Sequence, residues 1–125
     1  MTPDDSRRDE PDGCELSLDD ETIASITDRS LEAQVELFST LGNETRYRIL
    51  LLLTEADEPV CGCEIEPHLD VGQSSISQSL SRLRKAGLVS RTKDGRWRYY
   101  EPTDLGETLT EVVQSDVTAK PLIAD

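Results

Sequence analysis

Apolar residues recur at Ile76, Leu80 and Leu83, within one narrow sector at about 100° per residue, which predicts an amphipathic helix over Gln73–Ala86. Ala86-Gly87 ends it, glycine being the usual residue just past a helix. Alternation from Leu88 to Lys93, the turn pair Asp94-Gly95 and a return over Arg96–Glu101 then predict a hairpin. Trp97 and Tyr99 alternate with Arg96 and Arg98, so they are expected to pack inward against the helices.

The pattern upstream supplies a scaffold. Leu18 to Asp28 predicts a short helix with acids at its positive end. Ser30 is expected to cap a second helix whose buried stripe is Leu31, Val35, Phe38 and Leu41. Gly42 stops that helix and Asn43 caps the next, which runs from Glu44 to about Glu55. Its run Ile49–Leu53 is apolar nearly all round, as expected of a central buried helix. A loop at Asp57-Glu58-Pro59, a short helix over Gly62–Leu69 and the turn Asp70-Val71-Gly72 lead back to the Gln73 helix, giving a helix-turn-helix. Thr103 caps a last helix with Leu105, Leu109, Val112, Val113 and Val117. The expected fold is mainly α with a small β-hairpin wing, a dimeric winged helix-turn-helix. Residues 1–17 form an acidic flexible arm, 18–120 the winged domain with its terminal dimerisation helices, and 121–125 a tail.

Charge turns this architecture into a functional reading. Residues 81–101 carry seven cations against Asp94 and Glu101, while the whole chain has a net charge of −13. On the helix, Ser74, Gln78, Ser81 and Lys85 point away from the apolar stripe, with Ser77, Arg82 and Arg84 on the flanks and Gln73 and Ser75 at its start. Short or flexible polar side chains let a backbone approach a groove, and glutamine can bond an adenine edge twice. Arg91, Lys93, Arg96 and Arg98 suit phosphates beside that groove. The partner implied is double-stranded operator DNA. The acid spread over the rest of the chain, beside ten arginines and three lysines, reads as the surface of a protein from a salty cytoplasm. A DNA mimic or a partner of basic proteins is the competing reading, and the basic island argues against it.

Composition excludes other classes. A chain of 125 residues allows one compact domain, and no apolar run is long enough to span a membrane. The polar N-terminus MTPDDSRRDEPDG is unlike a signal peptide, so the expected location is cytoplasmic, associated with the nucleoid. Three cysteines make no disulfide scaffold, and Cys61 has no candidate base beyond His68, so a thiol enzyme is not expected.

Leu41-Gly42-Asn43-Glu44-Thr45-Arg46-Tyr47-Arg48-Ile49-Leu50, then Val60-Cys61-Gly62-Cys63-Glu64-Ile65, Gln73-Ser74-Ser75-Ile76-Ser77-Gln78-Ser79-Leu80 and Ala86-Gly87-Leu88-Val89, resemble the ArsR/SmtB family over about Leu31–Pro102. The resemblance implies a homodimeric repressor that releases DNA on binding a metal ion or metalloid. In the arsenic-sensing branch a Cys-Val-Cys stands where this chain has Cys61-Gly62-Cys63. A third Cys of that pattern falls on Glu66 here, and Cys14, in the arm, is the remaining candidate ligand, as in cadmium- and lead-sensing relatives. The family's other site, with Asp and His on the last helix, lacks its histidine here.

Cys-x-Cys is a weak signal by itself. Residues two apart on a regular helix point about 200° apart, so chelation by both sulfurs is expected to need an unwound first turn, which Gly62 eases. A helix start also favours thiolate, and thiolates select thiophilic ions. No cofactor is obligatory. The expected inducer is As(III) or Sb(III), or a soft divalent metal, with Glu64 and His68 as harder ligands if zinc or cadmium is the ion. A DNA regulator without metal, sensing thiol redox state or another ligand, is the alternative.

Overall fold

The computed structural model describes residues 18–28 and 30–117; the arm, with Cys14, and the C-terminal tail lie outside them. The chain divides into two compact units, Met1–Gln34 and Val35–Asp125. In the first, α1 (Asp20–Thr27) starts where Asp19 accepts the Thr22 N–H at 2.9 Å, and none of its residues is buried. Helix α2 (Leu31–Leu41) begins in the first unit and ends in the second. Ser30 precedes it in the left-handed region at φ 60°, its carbonyl accepting the Gln34 N–H.

The second unit is built around α3 (Glu44–Glu55). Asn43 caps it by accepting the Arg46 N–H at 3.0 Å, as the sequence predicts. Then come β1 (Val60–Cys61), α4 (Gly62–Ile65), a 3₁₀ turn (Glu66–His68), α5 (Gln73–Lys85), β2 (Val89–Asp94), β3 (Trp97–Pro102) and α6 (Asp104–Asp116). The core joins Ile49, Leu50 and Leu53 of α3 to Ile65, to Ile76, Leu80 and Leu83 of α5, and to Leu88, Val89 and Tyr100. Burying each aliphatic side chain contributes about 1.5–3 kcal/mol. This is a winged helix-turn-helix. Among the described residues no helix is long and apolar enough to cross a membrane.

Four expectations change. Of the predicted α2 stripe Leu41 packs on the core, while Val35 is 58% and Phe38 67% exposed and Leu37, outside the stripe, packs inward. Helix α3 is not buried all round, since Leu51 and Leu52 are half-buried. The wing has a third strand, because β1 pairs with β3 (Val60 with Tyr100, Cys61 with Tyr99) in the antiparallel order β1-β3-β2. The hairpin turn sits one residue later than predicted, at Gly95-Arg96, with Asp94 paired to Trp97 and Gly95 at φ 68°. A glycine with positive φ at the first turn position matches the right-handed twist of the strands.

The later turn moves every cross-strand partner by two residues and so leaves the faces unchanged. The expectation that reverses is which face of β3 turns inward. Trp97 is 50% exposed, and the residue buried at the root of the wing is Tyr100, beside Val89. Arg96 leaves the strand for the turn, where its guanidinium carbon lies 5.8 Å from the centre of the Trp97 ring.

Candidate nucleic-acid interface and cysteine site

Helix α5 is fixed at its end by its own sequence. Gly87 adopts φ 79° and donates to the Arg84 carbonyl at 2.9 Å, while the Leu88 N–H reaches the Leu83 carbonyl at 3.0 Å. These two bonds satisfy helix carbonyls and turn the chain into the wing. Arg82, Arg84 and Lys85 occupy the last turn, where the helix dipole favours cations. Ser74, Ser75, Ser77, Gln78 and Lys85 are exposed on the face opposite the core, and Ser81 is half-buried at its margin.

Two of the predicted reading residues have partners inside the chain. Gln73 donates to Glu66 Oε1 at 3.0 Å across the turn of the helix-turn-helix. Arg82 Nη2 lies 3.1 Å from Glu36 Oε2 on α2. In the wing, Lys93 stands directly opposite Arg98, and Arg91 opposite Tyr100. Like charges directly opposite on a sheet are destabilising, so the Lys93/Arg98 pair contributes nothing to folding and suits a polyanion.

Some residues of this surface were missed by the sequence reading. A cleft of about 440 Å³ opens between the first turn of α3 and α5, bringing Thr45 and Arg46 beside Ser75, Gln78 and Arg82. Arg46 donates from Nε to the Thr40 carbonyl at 2.7 Å, tying the end of α2 to the start of α3. The only forewarning was Asn43, which marks a helix start without saying what that start faces.

The cysteines are arranged differently from the expectation. Cys61 lies in β1, extended at φ −73° and ψ 141°, and serves as the N-cap of α4. Its sulfur accepts the Cys63 N–H at 3.3 Å, and the two sulfurs approach to 2.7 Å. Because Cys61 precedes the helix, no turn has to unwind for both sulfurs to meet. Cys61 is buried and Cys63 exposed, and both are free thiols. The Cys63 thiol is pushed above its ordinary value, first by sharing a hydrogen bond with Cys61 and then by burial and by the charges of Cys61 and Glu64. For Cys63 this corrects the expectation of a helix-start thiolate.

Glu64 and His68 line a separate cleft of about 210 Å³ with Val60 and Leu52, which neither cysteine lines. Glu66, on the position of a third thiol, is bonded to Gln73. Among the described residues no three of His, Cys, Asp and Glu group to hold a metal ion. Two adjacent sulfurs, one facing solvent, nevertheless match the donor chemistry of a thiophilic ion.

Over 90 residues the chain is 50% identical to a protein of Halobacterium salinarum assigned as the repressor of an arsenical resistance operon, covering 72% of this chain and 70% of the relative. The chain belongs to the ArsR family. The family model described as bacterial regulatory protein, arsR family, matches residues 43–91 of this ArsR-family protein, which span α3 to the start of the wing. A second Halobacterium salinarum protein so assigned is 44% identical over 89 residues, 71% of this chain and 75% of the relative. Among solved structures, HlyU from Vibrio cholerae superposes with a TM-score of 0.61 at 27% identity, over 70% of this chain and 94% of HlyU. This is a DNA-binding regulator, not an enzyme, and its acidic surface and Halobacterium relatives mark it as salt-adapted.

Proposed function

We propose that this ArsR-family protein is a homodimeric transcriptional repressor. It holds double-stranded operator DNA through α5 and the wing, and releases it when As(III), Sb(III) or a soft divalent ion joins Cys61 to Cys63. The observation that carries the inducer is the 2.7 Å approach of the two sulfurs at the start of α4. The names of the Halobacterium relatives support arsenic as the class of inducer.

DNA contact falls to Ser74, Ser75, Ser77, Gln78 and Ser81 on the helix, with Gln73, Arg82 and Lys85 at its ends. Arg91, Lys93, Arg96 and Arg98 of the wing complete it. The exposed apolar residues of α2 (Val35, Phe38) and α6 (Leu105, Val112, Val113, Val117) support a second copy of the chain as partner, because large apolar patches mark interaction sites. A two-fold dimer also presents two reading helices to two half-sites.

Capture of arsenite is a substitution, with no change of oxidation state. Each thiol gives its proton to a hydroxide of As(OH)₃, an As–S bond forms and a water leaves. An ion bonded to both sulfurs would take the place of the proton that they share, so their present contact would have to open. Gly62, between them, lies against both DNA-contacting elements. A Cβ built there would be 3.7 Å from Leu80 Cδ1 on α5 and 3.7 Å from Tyr100 Cε1 at the wing root. Opening the sulfurs therefore presses on the reading helix and the wing together. Cys14 is the candidate for a third sulfur.

The test is anisotropy of labelled upstream duplex in molar potassium chloride, with reduced protein and then arsenite. Release by arsenite is expected, and its loss in Cys61→Ser/Cys63→Ser with DNA affinity retained. Unchanged release in that double variant would overturn the site. Thiol oxidation is a second reading, favoured by the same sulfur approach; loss of binding with diamide, restored by reductant and indifferent to arsenite, would select it.

A further inference from the structure

We propose that the cleft between the first turn of α3 and α5 seats one DNA backbone phosphate, and that this phosphate displaces Glu36 from Arg82. The inference rests on the operator-binding reading above and deepens it. It adds Thr45 and Ser79 to the contact surface and gives Glu36 a function.

The cleft is lined by Thr45 on one side and by Ser75, Gln78, Ser79, Ser81 and Arg82 on the other, and no carboxylate lines it. In a chain of net charge −13 that absence is selective. Ser79 is only 8% exposed, yet among the described residues its hydroxyl makes no hydrogen bond; the hydroxyls of Thr45, Ser75 and Ser81 are equally unengaged. Hydroxyls that line the cleft and have no partner within the chain are free to donate to an anion.

The backbone adds donors. The first N–H groups of a helix have no intrahelical acceptor, and Asn43 takes only that of Arg46. Thr45, whose N–H is one of those left over, lines the cleft, where the helix dipole favours an anion. Glu44 itself is turned to Arg48 at 2.7 Å and does not line the cleft. Arg46 is committed to the Thr40 and Ser39 carbonyls at 2.7 and 3.4 Å, so it supplies field and fixes the turn rather than gripping the ligand.

Arg82 shows what kind of ligand the place accepts. Its guanidinium already holds a carboxylate oxygen, Glu36 Oε2, at 3.1 Å, with both side chains partly exposed. Such a pair is weak and easily exchanged. Glu36 is also within 3.5 Å of the Thr40 hydroxyl, which keeps a partner for the carboxylate when Arg82 turns away. A phosphate entering the cleft meets Arg82, the Thr45 N–H and the free hydroxyls at once. Glu36 thus acts as an intramolecular competitor that lowers affinity for every sequence alike.

The full chain, with a labelled duplex of the DNA upstream of its own coding sequence, tests this across a series of potassium chloride concentrations. Glu36→Gln is expected to tighten binding several-fold without changing sequence preference. Arg82→Gln is expected to weaken all sequences and reduce the slope of log K against log salt by about 0.9, one phosphate contact. Thr45→Val is expected to weaken binding a few-fold and Thr45→Ser to restore it, which separates a lost hydroxyl from a disturbed helix. If the wild type binds and Glu36→Gln matches it, or Arg82→Gln keeps its slope, the phosphate seat is wrong and the operator reading stands. A wild type that binds no duplex at any salt overturns both.

Discussion

Helices α5 and α2 carry comparably clear apolar stripes, and the stripes end in opposite places. Ile76, Leu80 and Leu83 of α5 are buried within their own chain, whereas Val35 and Phe38 of α2 lie open. Periodicity reports that a face needs cover; it does not say which chain supplies it. In α5 the cover comes from α3 and the wing root, all within reach of a few short connections. The open face of α2 recurs on α6, where only Leu109 packs on the core and Leu105, Val112, Val113 and Val117 do not. Helix α5 is thus held from inside, and the outer helices keep apolar faces open.

The sharpest way to break this comparison is to delete one side chain from each stripe. Leu80→Ala leaves a cavity in the core and is expected to cost about 2–5 kcal/mol in urea unfolding. Phe38→Ala should leave the unfolding of the isolated chain nearly unaltered. It should instead shift sedimentation towards monomer and abolish any dependence of the unfolding midpoint on protein concentration. Equal losses from the two variants would mean that both stripes belong to one core.

Gly106 sharpens the comparison for α6. A Cβ there would run into the Leu88 carbonyl and sit 3.3 Å from Leu50 Cδ1, so α6 docks by backbone approach where α5 docks by side chains. The dock is pinned by Thr103, whose N–H reaches the Leu88 carbonyl at 3.0 Å and whose hydroxyl donates to the Gly87 carbonyl at 2.7 Å. Gly106→Ala is expected to cost about 1–3 kcal/mol of stability, the usual effect of overpacking. A Gly106→Ala protein as stable as the wild type would show that α6 is loosely docked.

The smallest effect on stability is expected on the outer face of α5. Gln78→Ala should leave unfolding unchanged and cost about 1–3 kcal/mol of specific binding if Gln78 reads an adenine. Retention of both affinity and sequence preference would remove Gln78 from the readers.

Much of the helix-turn-helix was legible because its signals are local. Asn43, Gly87 and Thr103 act on backbone groups within a few residues, so their roles as caps and stops follow from chemistry next to them. The wing turn was placed one residue early because Asp94-Gly95 and Gly95-Arg96 both put a glycine at a turn position, and only the pairing of β3 with β2 chooses between them. That choice set the cross-strand partners, while packing on the core decided that Tyr100 and not Trp97 is the buried aromatic of β3. The cysteine geometry was hidden for a related reason. Whether Cys61 is the first helical residue or the cap before it depends on β1 joining β3, a contact between residues far apart in the chain.

From the sequence alone come the helix-turn-helix, the basic island in an acidic chain, the serine and glutamine face and the resemblance that led to the family. Periodicity, capping and charge need no distant partner to be read. Tertiary structure decided which apolar faces stay open, that two sulfurs meet without unwinding a helix, and that Arg82 rests on Glu36 beside an acid-free cleft. Each of those depends on residues brought together across strands or helices, where burial and register are set by the whole core and not by the spacing of neighbours.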